Sequence, residues 1–172
     1  MNQEKEKSVE LIDIPLLCSI PQRFCTGPTM GKFLSALRDE KKILGNKCPS
    51  CGRTQIPPRI VCAECHVEVN EWVELGPGGY VISYDVVYIP TLNPLTGKMR
   101  EVPYTTASII LDGGDATLMQ FLDETDPQKI KIGNRVEAVF RPDGQRIGSV
   151  LDILYFRVIP GQVTEVVNNA VI

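Results

Sequence analysis

The sequence predicts a mainly β protein with a short N-terminal helical part, in which a four-cysteine ribbon precedes a small closed barrel. Four cysteines form two C-x-x-C pairs separated by ten residues, a spacing typical of a metal-binding ribbon. Five later segments are rich in β-branched and aromatic residues and alternate with turn residues, as in small barrels and sandwiches. The expected units are an N-terminal arm and amphipathic helix at 1–45, the ribbon at 46–75, the barrel at 76–160 and a C-terminal tail at 161–172.

The N-terminal unit is predicted to contain one helix. Prolines interrupt residues 1–28, so we expect an extended arm there. Apolar residues then recur at helical spacing over 30–44, where Thr29 is the predicted N-cap and Gly45 the predicted end. The apolar face of this helix either packs on its own domain or fills a groove of a partner, and the sequence leaves both open.

The two cysteine pairs, Cys48 with Cys51 and Cys62 with Cys65, predict a tetrahedral Zn²⁺ site. Two disulfides or a redox pair are the alternatives, and the lack of a secretory leader favours metal. An iron-loaded, rubredoxin-like electron carrier is a further alternative. Four thiolates close the ligand shell, so the zinc is expected to be structural.

Three other residues could also bind metal or form a disulfide. His66, the only histidine, follows the last cysteine of the ribbon, and a surface position beside the metal is favoured over ligation because the shell is already complete. Cys18 and Cys25 are expected to be inert packing thiols rather than a disulfide.

The barrel strands are predicted from β-rich segments. One face of the first strand should carry Tyr80, Ile82, Tyr84, Val86 and Tyr88, and the long last strand should bend to pair with two neighbours. Strand count alone does not separate an OB-type barrel from a small sandwich. The predicted strands are Gly79–Pro90, Tyr104–Leu111, Ala116–Leu122, Arg135–Arg141 and Ile147–Ile159.

The longest irregular connection, Thr91–Val102, is a candidate functional loop because long loops in compact domains often bind ligands or partners. It carries Lys98 and Arg100, which could contact an anion, although a solvated loop without a specific role is the alternative. The tail beyond residue 160 is apolar and should fray unless a partner holds it.

The composition excludes several function classes. The chain of 172 residues has a net charge of −3 and a pI near 5.3, which argues against a protein that mainly coats nucleic acid. No stretch has the roughly 18 apolar residues of a membrane span, and the charged start lacks a signal-peptide apolar region. A cytoplasmic location is therefore expected.

The order of these parts resembles the family of zinc-ribbon plus OB-fold proteins associated with acyl-CoA metabolism, long catalogued as a domain of unknown function and often met beside thiolase-like proteins. The resemblance covers about residues 29–160 and implies a rubredoxin-like zinc ribbon followed by a five-stranded OB-fold barrel. The residues that carry it are Phe33, Leu37, Cys48-Pro49-Ser50-Cys51-Gly52, Pro57-Pro58-Arg59, Cys62, Cys65, Trp72, Gly76 to Gly79, Pro103-Tyr104, Leu111-Asp112-Gly113 and Tyr155-Phe156-Arg157.

The resemblance implies a non-catalytic accessory subunit that forms a complex with a thiolase-like acyltransferase and supports thiolytic cleavage or condensation of an acyl-CoA. The partner is expected to supply the nucleophile, base and oxyanion hole. Candidate contacts with CoA or the partner are Arg53, Arg59, Lys98, Arg100 and Tyr104. The alternative is a module that binds single-stranded nucleic acid by aromatic stacking over a basic groove.

Overall fold

The computed structural model describes residues 25–93 and 96–165. One helix is followed by a three-stranded sheet and a closed five-stranded barrel. The mainly β fold class with an N-terminal helix is confirmed. The elements are α1 (Gly27–Glu40), β1 (Ile43–Lys47), β2 (Thr54–Gln55), β3 (Glu71–Leu75), β4 (Gly78–Val87), β5 (Tyr104–Leu111), β6 (Thr117–Leu122), β7 (Asn134–Phe140) and β8 (Ile153–Val163), with a 3₁₀ turn at Val150–Asp152.

The helix α1 begins and ends earlier than the sequence predicts. Thr26, not Thr29, occupies the N-cap, and the helix ends at Glu40 because Lys41 adopts a left-handed conformation (φ 57°). Leu44 and Gly45 therefore belong to β1. A proline at the first turn of the helix is compatible with helix initiation. The expected extended arm lies mostly outside the described residues.

The apolar face of α1 packs on the protein itself, which settles the alternative that the sequence left open. Phe33 and Leu37 are fully buried and belong to the main hydrophobic core together with β1 residue Ile43 and barrel residues such as Phe156. One continuous core therefore extends from the helix through the ribbon sheet into the barrel.

The ribbon sheet has the strand order β2-β1-β3, and both pairings are antiparallel. Strand β1 pairs along its whole length with β3, from Ile43 opposite Leu75 to Lys47 opposite Glu71. Trp72 on β3 is covered by Lys32 of α1, whose Nζ lies 4.3 Å from the ring centroid. The sheet thus links the helix to the metal-binding turns that follow β1.

The barrel closes in the order β4-β5-β6-β8-β7. The last strand pairs antiparallel with β7 and parallel with β6, where Leu122 lies opposite Phe156. The predicted bend to two neighbours is therefore confirmed. The prediction that this strand starts at Ile147 is wrong, because residues before 153 form a loop and the 3₁₀ turn.

One predicted strand face is wrong. A β-bulge between Val81 and Ser83 shifts the alternation of β4, so Val81 becomes the fully buried residue. Tyr84 is half-buried and donates its hydroxyl to the Ile130 carbonyl (3.0 Å), whereas Tyr88 is largely exposed beyond the end of the strand. An extra residue in one strand reverses which side chains face inward.

The loop between β7 and β8 holds the C-terminal end of α1. The buried carboxylate of Asp152 accepts hydrogen bonds from the backbone N–H groups of Ile147, Gly148 and Ser149. Arg146 extends from this loop and donates to the carbonyl of Arg38 on the helix. These contacts fix the helix on the barrel.

In the part of the chain that the structure describes, no helix is long and apolar enough to cross a membrane.

Candidate metal centre and flanking surfaces

The four ribbon cysteines converge on one point. The Sγ atoms of Cys48, Cys51, Cys62 and Cys65 all lie within 4.8 Å of one another. Cys48 and Cys62 are buried, whereas Cys51 is exposed at the surface. Each pair sits on a tight turn, and each turn is closed by backbone hydrogen bonds of the same kind.

The two turns have matching hydrogen bonds. The N–H of Gly52 donates to the Cys48 carbonyl (2.9 Å), and the N–H of His66 donates to the Cys62 carbonyl (3.1 Å). Both donors have positive φ, 74° at Gly52 and 57° at His66. Glycine adopts positive φ without steric cost, which explains why Gly52 occupies the first turn. At the matching position of the second turn, His66 adopts a conformation that is less common for a residue with a side chain.

The site fits zinc on its own geometry. Zn–S bonds of about 2.3 Å place the sulfurs of a tetrahedron about 3.8 Å apart, and the Cys51 and Cys62 Sγ atoms are 3.8 Å apart. Four sulfur donors without an open position are the ligand set of a structural zinc site. These four sulfurs are positioned to hold a zinc ion, as the cysteine spacing predicts.

The local electrostatics favour thiolate at one ligand. The backbone N–H of Cys51 lowers the pKa of Cys48 to about 7, because a hydrogen bond to sulfur stabilises the charged form. A thiol that ionises near neutral pH is ready to ligate metal without a large cost of deprotonation.

A buried amide that the sequence does not reveal supports the ribbon. Asn46, fully buried on β1, donates through Nδ2 to the Arg59 carbonyl and accepts the Arg59 N–H at Oδ1 (3.2 Å). The same Nδ2 is 3.4 Å from the Val69 carbonyl. This side chain ties the segment before the second cysteine pair to β1, and no spacing or motif in the sequence predicts that role.

A small cavity of about 130 Å³ lies between the ribbon and a barrel turn. It is bordered by Arg53 and Arg59, which the sequence predicts as contacts with CoA or a partner. Arg53 forms an ion pair with Glu64 (2.9 Å). Gln55 lies on the cavity wall and accepts the Ala63 N–H at Oε1. The structure thus brings the two predicted arginines together, and one of them is already paired.

Lys98, Arg100 and Tyr104 form the second predicted group, next to the barrel. The guanidinium of Arg100 lies 4.7 Å from the centroid of the Phe121 ring and 6.0 Å from that of Tyr104, and the two rings meet edge to face. Lys98 is exposed. Phe121 is a residue of this group that the sequence reasoning missed, although its alternate position on β6 could have indicated an outward ring.

The remaining candidates have simpler positions. His66 is exposed and lies outside the group of four sulfur ligands. Cys25 is exposed rather than packed, so its predicted role as an inert packing residue is wrong. Cys18 lies outside the described residues.

Comparison with known proteins agrees with this architecture. Residues 35–71 match the family described as the ChsH2 rubredoxin-like zinc ribbon domain, and residues 72–141 match the family described as the ChsH2 C-terminal OB-fold domain. The barrel is therefore an OB-fold, as the resemblance implies, and the alternative of a sandwich is excluded.

Two archaeal relatives are similar over most of their length. The chain is 35% identical over 101 residues to a "DUF35 domain-containing scaffold protein" of Methanothermobacter thermautotrophicus. The aligned region covers 58% of this chain and 71% of the relative. The chain is 30% identical over 106 residues to a protein of the same description from Methanocaldococcus jannaschii, covering 61% of this chain and 72% of the relative.

Two solved structures share the fold. A DUF35-family protein of unknown function from Sulfolobus solfataricus matches with a TM-score of 0.53 and 26% identity, covering 77% of this chain and 84% of that one. A chain of the "Ltp2-ChsH2(DUF35) aldolase" matches with a TM-score of 0.53 and 24% identity, covering 74% and 91%. The second likeness concerns the fold alone.

Proposed function

The chain belongs to the DUF35 family, and we propose that it is a non-catalytic, zinc-binding scaffold subunit that assembles with a thiolase-like acyltransferase. The observation that carries the proposal is the 35% identity to a relative described as a scaffold protein. A scaffold protein acts by binding another protein, so the description of that relative supports assembly with a partner.

In this proposal the zinc has a structural role and stabilises the fold of the ribbon. Its four ligands come from the two turns that flank Arg53 and Arg59, so metal binding fixes the positions of both arginines. Asn46 adds a second connection between β1 and the segment at Arg59. A module of this size has little hydrophobic core of its own, and bound metal supplies much of its folding free energy.

The acyl transfer itself is assigned to the partner. Thiolysis needs an activated cysteine with a base held beside it. The ribbon cysteines are committed to metal, and the single histidine of the chain lies exposed next to them. The scaffold supports thiolytic cleavage or condensation of an acyl-CoA by holding the partner in its active arrangement.

Contact with CoA is a further element of the proposal. The phosphates of CoA attract guanidinium and ammonium groups, and the two candidate groups are Arg53 with Arg59 at the ribbon cavity and Lys98 with Arg100 and Tyr104 beside the barrel. We place the complex in the cytoplasm, since metal-bound thiolates persist in a reducing compartment.

Reconstitution tests the proposed function. The thiolase-like protein of the same organism is assayed for thiolysis of acetoacetyl-CoA alone and with a twofold molar excess of the zinc-loaded chain. The proposal expects activity to rise at least about tenfold with the chain, while the chain alone has none. The metal-depleted chain is the matched control and should give no rise.

Two results would contradict the proposal. Unchanged activity together with separate elution of the two proteins would show that the chain is not a subunit of such a complex. Thiolysis by the chain alone would assign the chemistry to this protein instead of its partner.

A further inference from the structure

The connection between β4 and β5 exposes an unusual amount of apolar surface. Residues 88–93 and 96–102, here called the hairpin arm, carry five large hydrophobic side chains that are 40% to 74% exposed, namely Tyr88, Ile89, Leu92, Met99 and Val102. Single exposed hydrophobic residues are ordinary, but a contiguous group marks an interaction surface.

The hairpin arm has a defined backbone although its side chains face solvent. Leu92 and Met99 form a β-bridge, and the N–H of Arg100 donates to the Thr91 carbonyl (2.7 Å). The sequence predicts an irregular connection here, and the structure contains one isolated antiparallel β-bridge within it. A surface that is already ordered loses little conformational entropy on binding.

The base of the arm is fixed to the barrel. The hydroxyls of Thr91 and Tyr104 lie 2.8 Å apart in a hydrogen bond, and Arg100 stacks on Phe121 of β6 (4.7 Å). The outward-facing apolar side chains are thereby held in one orientation relative to the barrel.

The charge of the arm limits what can cover it. The arm contains Lys98, Arg100 and Glu101, a local excess of one positive charge on a chain whose net charge is −3. In the part of the chain that the structure describes, no carboxylate forms an ion pair with Lys98 or Arg100. A partner surface complementary to the hairpin arm is therefore one that is apolar and bordered by carboxylates.

Two other occupants fit this surface less well. In a two-fold dimer the same patch meets itself, so an arm-to-arm contact would bring together two arms that each carry one excess positive charge. Nucleic acid bases stack on aromatic rings, whereas four of the five exposed side chains are aliphatic and the Phe121 ring is covered by Arg100.

We infer that the hairpin arm is the surface through which this chain docks on its protein partner, in an apolar depression of that partner bordered by aspartate or glutamate. The inference rests on the proposed function, because the partner is the thiolase-like protein named there.

Affinity measurements on full-length, zinc-loaded variants test this surface. Leu92→Asp puts a charge into the apolar arm, and Ile132→Asp is the matched control on a different loop, since the two wild-type side chains are 58% and 56% exposed. Calorimetric titration against the thiolase-like protein should show binding weakened at least about tenfold for Leu92→Asp and within about twofold of wild type for Ile132→Asp.

A second pair of variants tests the charge. Lys98→Glu should weaken binding about tenfold and flatten its salt dependence, while Lys131→Glu, an equally exposed lysine on another loop, should change neither. Circular dichroism and zinc content must match wild type in all four variants, since every substituted side chain is exposed.

The outcomes separate the inference from the function it rests on. Wild-type binding that Leu92→Asp and Lys98→Glu leave intact overturns the hairpin arm as the docking surface, while the proposed function stands. Wild-type protein that does not bind the thiolase-like protein overturns both. A homodimer or an oligonucleotide complex that Leu92→Asp abolishes would identify a second copy or nucleic acid as the occupant and overturn the inference.

Discussion

Cys62 is buried at the start of the second metal-binding turn, and its loss should unfold the ribbon. Cys62→Ser removes one of four soft donors, so we expect loss of the bound zinc and a loss of stability of several kcal/mol, because metal binding and folding are coupled. Inductively coupled plasma mass spectrometry gives the zinc content, and urea unfolding gives the free energy. The control Cys25→Ser changes an exposed cysteine outside the sulfur cluster and should retain one zinc per chain. Retention of zinc by Cys62→Ser would contradict the assignment.

The pairing of Asp112 with Arg135 makes a defined contribution to stability against acid. Hydrogen bonds from the Arg135 guanidinium (2.7 and 2.5 Å) hold the pKa of Asp112 below its usual range. A carboxyl whose pKa is lowered by folding stabilises the protein above its unfolded pKa, and this stability is lost as pH falls through the folded pKa.

Asp112→Asn should therefore lower the free energy of unfolding by about 0.5–1 kcal/mol at pH 7, a small value because half of the Asp112 side chain is exposed to solvent. The difference from wild type should shrink steadily below about pH 4, as measured by urea unfolding at a series of pH values. Asp85→Asn, at an exposed position of β4, is the control. An undiminished difference at pH 2.5 would contradict the electrostatic explanation.

At the scale of single residues, the sequence predicts the role of a side chain when that role depends on local spacing along the chain. It does not predict a role that depends on tertiary contacts between distant segments. The four zinc ligands follow from two C-x-x-C pairs because each pair is a local turn. The role of Asn46 depends on Arg59 and Val69, which reach it only in the folded ribbon. Phe121 likewise gains its role from Arg100, on a separate hairpin.

Arg146, in the loop between β7 and β8, contacts the C-terminal end of the helix α1. Only 7% of the Arg146 side chain is exposed, and its guanidinium donates to the carbonyls of Arg38 and Arg141 and to Asp143. These bonds satisfy a carbonyl in the last turn of the helix, which has no partner within the helix itself.

Arg146→Ala should destabilise the protein by about 2 kcal/mol because two carbonyls lose a donor, one of them in a partly buried position. Arg146→Lys should recover only part of this loss, since an ammonium lacks the planar fork. Hydrogen exchange at the last turn of α1 should accelerate in both variants. Arg157→Ala changes a largely exposed side chain and should leave that exchange unchanged. If Arg146→Ala exchanged at the last turn of α1 at the same rate as wild type, the proposed role of Arg146 in holding this turn would be contradicted.

At the scale of elements, strand existence is predicted well and element ends are predicted less well. Strand β5 has the predicted bounds, because alternation and flanking turn residues define it locally. The helix ends at Glu40 because Lys41 adopts a left-handed backbone conformation, which composition does not indicate. The bulge in β4 depends on pairing with β5, so alternation alone wrongly places Tyr80 on the same face as Tyr84, which packs against the core.

The whole molecule is organised as a metal-braced ribbon joined to an OB barrel by one shared core. Phe33, Ile43 and Phe156 belong to that core although they come from the helix, the ribbon sheet and the barrel. The helix therefore completes the molecule instead of leaving an apolar face for a partner. The hairpin arm leaves five large apolar side chains exposed, and the sequence indicates this segment only as a long connection.

The central claim is that this chain is a zinc-braced subunit of a complex with a thiolase-like protein. Light scattering during size-exclusion chromatography of the two purified proteins, mixed at about 10 μM, measures the mass of any complex directly. The account predicts one species whose mass is a whole-number sum of both chains and which is absent when Cys62→Ser replaces wild type. Elution of the two wild-type proteins separately, each at its own mass, would contradict it.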